Sequence, residues 1–214
     1  MPNTKSKSDS ETLSLFATPV YRATVEEENI GALNDDIIAA ALSYAEDDAA
    51  GAAWCEAHSY PGYTSYGSLN DLPSRATCFA TLQRHLDRHA AAFARRAHLD
   101  LAGGKLILDN IWVNVLEPGG FHSGHIHPHS VLSGAYYVQT PDGASSIRFE
   151  DPRLPMMMAA PTRSEDAPLD AQSFVYLAPR PGMVLMWESW LRHEVLRNDA
   201  DDLRISVSFN YRWG

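Results

Sequence analysis

The chain has 214 residues, 45% of them hydrophobic and 21% charged, an ordinary globular composition in which one core, and so one principal site, is expected. Its formal net charge of -10 opposes non-specific attraction to nucleic-acid phosphates, and no stretch approaches the roughly 18 to 20 apolar residues that span a bilayer. Cys55 and Cys78 form no C-x-x-C pair, which argues against a disulfide framework and against a thiolate metal site, so the expectation is a cytoplasmic protein that binds neither nucleic acid nor membrane.

Residues 1–10, MPNTKSKSDS, are polar and read as a disordered tail ahead of a single domain, 11–214. Within that domain, 11–104 reads as an N-terminal strand and bracing helices, and 105–214 as a β core. Leu13 to Val25 is aromatic and β-branched but interrupted by Pro19, which suits an edge strand. Asn34 is the expected N-cap of a helix carrying Ile37, Ile38, Ala41, Leu42 and Ala45, which should fade at Glu46-Asp47-Asp48 and Gly51. Trp54 to Pro73 has no clear period and reads as a long ordered loop with a short strand. From Ser74 a second helix is predicted, because Phe79, Leu82, Leu86, Ala90, Phe93 and Ala97 recur every three or four residues; it should end near Gly103-Gly104.

From Lys105 the period changes to that of strands: LILDNIWVNVL, SGAYYVQT, SSIRFE, AQSFVYLAP, GMVLMW and LRISVSFNYRW, separated by turn residues. The fold class is therefore mainly β with flanking α-helices, an antiparallel sandwich or barrel braced on one face. Leu154 to Asp170 reads as an irregular insertion, a surface loop with a lid over the site as the sharper alternative.

Four of the nine histidines lie in FHSGHIHPHS. In a strand, residues i and i+2 share a face, so His125 and His127 can aim two imidazoles at one point. His193, reached through the PRPGMVLMWESWLRH unit, is the third candidate ligand from a distant strand; Fe(II), Zn(II), Mn(II) and Ni(II) all suit such a set. His122 and His129 read as turn positions or substrate contacts, and His85 and His89 as a plain helix surface. His58 and His98 read as structural or solvated. Arg204, Ser206 and Ser208 alternate with Ile205, Val207 and Phe209. An inward-facing Arg204 would be a buried cation needing a carboxylate, which a planar guanidinium binds well; the competing reading is an exposed edge strand with Arg204 paired to an acidic neighbour.

Together WVNVLEPGGFHSGHIHPHSVLSGAYYV, RFEDPR, PRPGMVLMWESWLRH and RISVSFN resemble the 2-oxoglutarate and Fe(II)-dependent oxygenases, within them a bacterial group of unassigned substrate. The resemblance covers about half the chain, Ile111 to Asn210. It implies a double-stranded β-helix, the jelly roll or cupin-like barrel, with Fe(II) as metal and 2-oxoglutarate as cosubstrate. It implies that His125 and His193 occupy the two histidine positions of the iron site, and that Arg204 and Ser206 form the R-x-S pair that grips the distal carboxylate of 2-oxoglutarate. Tyr137 falls where prolyl hydroxylase-like members place a tyrosine beside that carboxylate, and Asn114, in W-x-N, is a looser candidate for a polar contact. The family motif is H-x-D or H-x-E, whereas His127 stands at the carboxylate position here, leaving one less negative charge; Asp151 or Glu150, in FEDPR, is the alternative source of a carboxylate. A cupin-type metalloenzyme without 2-oxoglutarate and a catalytically silent binding barrel are the competing readings. The prime substrate is a small molecule or a side chain of unassigned identity. Trp187, Trp190 and Leu191 are candidates for a substrate entrance or a homodimer contact, with core packing expected for at least two of them.

Overall fold

The computed structural model describes residues 11–26 and 28–214, so the expected tail at 1–10 lies outside the described residues. Strand β1 (Val20–Thr24) leads to helices α1 (Ile30–Asp47) and α2 (Ala49–Ala57), the short strand β2 (Tyr63–Thr64) and helix α3 (Thr77–Arg96). Eight strands follow: β3 (Leu106–Leu116), β4 (His122–His125), β5 (Leu132–Gln139), β6 (Ile147–Glu150), β7 (Phe174–Leu177), β8 (Met183–Glu188), β9 (His193–Val195) and β10 (Arg204–Trp213). They form two antiparallel sheets, β1-β8-β5-β10-β3-β2 and β4-β9-β6-β7. The fold is the mainly β jelly roll expected, and β1 and β2 extend its larger sheet from the N-terminal segment.

The larger sheet is apolar on its outer face, where Val113, Val115, Tyr136, Val138, Val184, Val207 and Phe209 pack with Ile37, Phe79, Leu82, Leu86 and Phe93 of α1 and α3. The stripe read on α3 supplies that layer. A smaller cluster, including Ala135, Tyr137, Phe149, Leu185 and Trp187, joins the inner faces of the two sheets. Among the described residues no helix is long and apolar enough to cross a membrane.

Several local expectations need correction. The N-cap of α1 is Asn29, whose side chain accepts from the Ala32 amide; Asn34 lies inside the helix, buried, and its Oδ1 accepts from the Tyr136 hydroxyl. The chain does not fade after Glu46: Asp48 caps a new helix by accepting from the Gly51 amide. Gly51 serves close approach there, since a Cβ would sit 2.2 Å from Asp48 Oδ2 and 2.8 Å from Ser68 Oγ. Only Val20–Thr24 of the Leu13–Val25 segment is strand, although it does occupy a sheet edge. Helix α3 ends at Arg96, well before Gly103-Gly104. His85, expected on a helix surface, is buried, and the half-buried His89 bonds the Tyr21 hydroxyl at 2.9 Å through Nδ1.

Candidate metal centre and cosubstrate pocket

The antiparallel ladder between β4 and β9 places His125 directly opposite His193, the arrangement that brings cross-strand side chains closest. His127 lies just past the end of β4, so the two residues of H-x-H do not share a strand; its amide donates to Ser189 O at 3.0 Å, which holds it beside the other two. Ring centroids lie 4.4 Å apart for His125 and His193, and 5.1 Å from each of these to His127. One ligand nitrogen from each ring falls within 4.8 Å of the others.

Each imidazole is oriented through Nδ1. His125 Nδ1 lies 2.7 Å from Ser123 O, His193 Nδ1 lies 2.9 Å from Leu191 O, and His127 Nδ1 lies 2.7 Å from Asn210 Oδ1. Oxygens at those positions accept, so each Nδ1 carries the hydrogen and Nε2 keeps its lone pair, the outer contact that metal-binding histidines use. Burial lowers the proton affinity of all three rings: His127 falls to about 4, His125 lies below the ordinary value and His193 well below it. The cluster is neutral at physiological pH and ready to ligate. Glu150 pairs with Arg192 and Asp151 with Arg153, so neither supplies a carboxylate to it.

The floor beside the histidines is β10, a central strand between β5 and β3 rather than an exposed edge. Ser206 is flanked by Tyr137 on β5 and Asn114 on β3, Ser208 by Ala135 and Trp112, and Asn210 by Ser133 and Asn110. A register shift at Ile205/Ser206 ends this regular pairing next to Arg204, the kind of irregularity that re-aims side chains near sites. Arg204 is 2% exposed, stands 5.2 Å from the centre of the Tyr137 ring and reaches Ser206 Oγ only at 3.5 Å. Among the described residues it has no acidic partner, and its Nε and the Tyr137 hydroxyl are buried without hydrogen bonds. Burial presses the Arg204 cation toward release of its proton and pushes the Tyr137 hydroxyl up. Such orphaned donors are costly unless something accepts from them, and a carboxylate fits both.

These residues line one hollow of about 530 Å³ between the sheets. All seven residues expected at the site are in it, though Asn114 is otherwise engaged: its Oδ1 accepts from Thr64 Oγ1 and its Nδ2 donates to Ser208 Oγ, each at 2.9 Å. His122, expected in a turn, is in β4 and faces the hollow, where Tyr60 OH bonds its Nε2 and burial lowers its pKa to about 3. The H-x-x-H offset from His122 to His125 concealed this, because a register irregularity separates the two. A larger hollow, about 880 Å³, lies outside the barrel against the N-terminal segment; it holds no histidine. The Leu154–Asp170 insertion contributes Arg163, Leu169 and Asp170 to that outer hollow and nothing to the histidine cavity, so the lid reading is not supported.

Residues 110–210 match the family model described as "Putative 2OG-Fe(II) oxygenase". Over that segment, which is the barrel core, the chain is similar to the 2OG-Fe(II) oxygenases. No curated protein matches the chain. Among solved structures, the chain is similar to a Pseudomonas putida prolyl-4-hydroxylase at 12% identity, covering 91% of this chain and 93% of the other with TM-score 0.58. It is similar to the viral collagen prolyl hydroxylase vCPH from Paramecium Bursaria Chlorella virus-1, solved as a 2OG complex, at 12% identity over 90% and 96% of the chains with TM-score 0.56. HygX from Streptomyces hygroscopicus, solved with nickel and 2-oxoglutarate bound, aligns at 12% identity over 92% and 83% with TM-score 0.56. At this identity the structures speak for the fold; the likeness to the oxygenase family rests on the matched segment.

Proposed function

We propose that the oxygenase holds Fe(II) through Nε2 of His125, His127 and His193, and binds the distal carboxylate of 2-oxoglutarate through Arg204, Ser206 and Tyr137. The observation that carries the reading is the pairing, in one cavity, of three neutral imidazoles with a buried guanidinium that has no acidic partner among the described residues. Bound iron supplies the redox chemistry by which 2-oxoglutarate, O₂ and a substrate C–H bond become succinate, CO₂ and an oxidised, typically hydroxylated, product.

The chain's own residues bind, orient and exclude water. The Nδ1 contacts hold three lone pairs inward. Arg204 and the Tyr137 hydroxyl fix one end of the cosubstrate, and Asn114 braces the floor between β2 and β10. The mouth carries Tyr66, Phe121 and Ile126, each nearly half exposed, which supports a substrate with an apolar body. A cytoplasmic setting is part of the same proposal, since the two free thiols suit a reducing compartment.

Anaerobic titration of Fe(II)-loaded protein with 2-oxoglutarate tests this. The weak visible charge-transfer band of a chelated keto acid should appear, and should require a far higher 2-oxoglutarate concentration in Arg204→Ala. Iron uptake with no band would overturn the cosubstrate assignment in favour of a cupin-type metal centre.

A further inference from the structure

Two of the three oxygens that orient the histidines are backbone carbonyls, of Ser123 and Leu191, whose direction the fold fixes. The third, at His127, is a side-chain amide. An amide can turn either its oxygen or its NH₂ toward an imidazole. If Asn210 turned its NH₂ to His127, Nδ1 would have to accept, the ring hydrogen would move to Nε2, and the nitrogen that faces the other two ligands would lose its lone pair.

The surroundings choose between these states. Asn210 Nδ2 donates to Asn110 Oδ1 at 2.8 Å, and Ser133 Oγ donates to Asn210 Oδ1 at 2.7 Å. Asn110 is itself an amide and so could turn, but its Nδ2 donates to Asp109 Oδ2 at 3.3 Å. An ionised carboxylate only accepts. The direction set at Asp109 therefore passes through Asn110 and Asn210 to His127, each group donating toward the acid.

We infer that Asp109, Asn110 and Asn210 form a directional hydrogen-bond relay that locks His127 in the Nδ1–H form, with Asn210 as the positioning residue and the solvent-exposed Asp109 as its anchor. The inference rests on the metal-centre reading only for its consequence; the tautomer itself is a property of the metal-free protein. It gives a role to a carboxylate at a position where the ligand set has none: the acid acts on the third ligand through two amides instead of touching the ion. Outer contacts of this kind change metal affinity by about 10- to 100-fold when removed.

Two measurements on the full chain test it. Long-range ¹H–¹⁵N spectra of the metal-free protein at mildly alkaline pH should show His127 as the Nδ1–H tautomer in wild type and in Asn210→Asp, whose oxygen still accepts. Asn210→Ala, and to a lesser degree Asp109→Ala at the surface, should populate the Nε2–H form. Calorimetric titration with Mn(II) should give an affinity about 10- to 100-fold weaker in Asn210→Ala, an intermediate loss in Asp109→Ala, and recovery in Asn210→Asp. A purely structural Asn210 would make the aspartate variant as poor as alanine, because it cannot donate to Asn110. Unchanged tautomer and affinity in both alanine variants would overturn the relay. If Asn210→Ala does not fold, Asp109→Ala decides alone. Wild type that takes up no Mn(II) would instead defeat the metal-centre reading, while the spectra still judge the relay.

Discussion

On the helix side of β10, Ile205, Val207, Phe209 and Tyr211 are fully buried among apolar neighbours, whereas on its cavity side Arg204, Ser206, Ser208 and Asn210 present polar groups between the sheets. One strand thus serves stability with its odd-numbered residues and chemistry with its even-numbered ones. The period of two that separates the faces also separates what substitutions should do, because one set packs in the helix-side core and the other lines the hollow.

The largest effect expected from breaking this division is on the helix side. Phe209 is completely buried, and truncation to alanine should lower unfolding stability by about 3–5 kcal/mol, read as a lower urea midpoint. What remains folded should still bind 2-oxoglutarate near the wild-type affinity. Loss of cosubstrate affinity in proportion to stability would mean that the faces are not independent.

The opposite result is expected at Arg204. Replacing a buried guanidinium that has no acidic partner among the described residues with methionine should leave stability unchanged or raise it. The same change should weaken 2-oxoglutarate binding to the Mn(II)-loaded protein by about 2–5 kcal/mol, as removal of one member of a buried charge pair does. Stability falling as far as in Phe209→Ala would show that Arg204 has a structural partner instead of a ligand.

Acid should separate the faces again, acting mainly through the four histidines of the cavity side, with the lowered His89 on α3 adding in the same direction. The folded protein holds His122 and His127 neutral down to about pH 3 and 4, with His125 and His193 also lowered, whereas the unfolded chain protonates its imidazoles near about pH 6.5. Below that value the unfolded state binds more protons, so the stability of the metal-free protein must fall as pH falls from about 6.5 toward 4. Thermal midpoints of the metal-free protein across that window should decline, and saturating Mn(II) should flatten the decline until protons displace it. A flat metal-free profile would show that the four rings are not held neutral by burial.

The sequence made the two faces legible because alternation is local: RISVSFN carries it in seven letters, and LILDNIWVNVL matches β3 end to end. The histidine cluster was partly readable, since two members sit two residues apart, but His127 joins it from beyond the end of β4 through its amide bond to Ser189 O and not through the shared strand face that the spacing suggested. What stayed hidden depends on partners far along the chain. Asn34 looks like a cap by composition, but Tyr136 recruits it from across the core, and Gly51 looks like a stop although it packs against its own cap. Asn210 closes RISVSFN, yet its role depends on Asn110 and Asp109, a hundred residues away in the ladder. His122 was misread because the spacing to His125 implies opposite faces in a regular strand, and the pairing there is irregular.

The smallest expected effect sharpens the comparison at Ser208, which neighbours Phe209 but faces the cavity. Its hydroxyl accepts from Asn114 Nδ2 at 2.9 Å in a partly buried setting, so Ser208→Ala should cost about 0.5–1.5 kcal/mol, a small fraction of the Phe209 loss. The variant also settles what Asn114 does. With Thr64 Oγ1 still donating to its Oδ1, the Asn114 amide keeps its direction and gains one unengaged N–H facing the hollow. If Asn114 is a brace, 2-oxoglutarate affinity should hold within a factor of about three, less than one ordinary hydrogen bond. If the resemblance is right that it touches the cosubstrate, freeing that N–H should change the affinity by more, and the cavity face would then contain a contact that the ligand-free hydrogen bonding conceals.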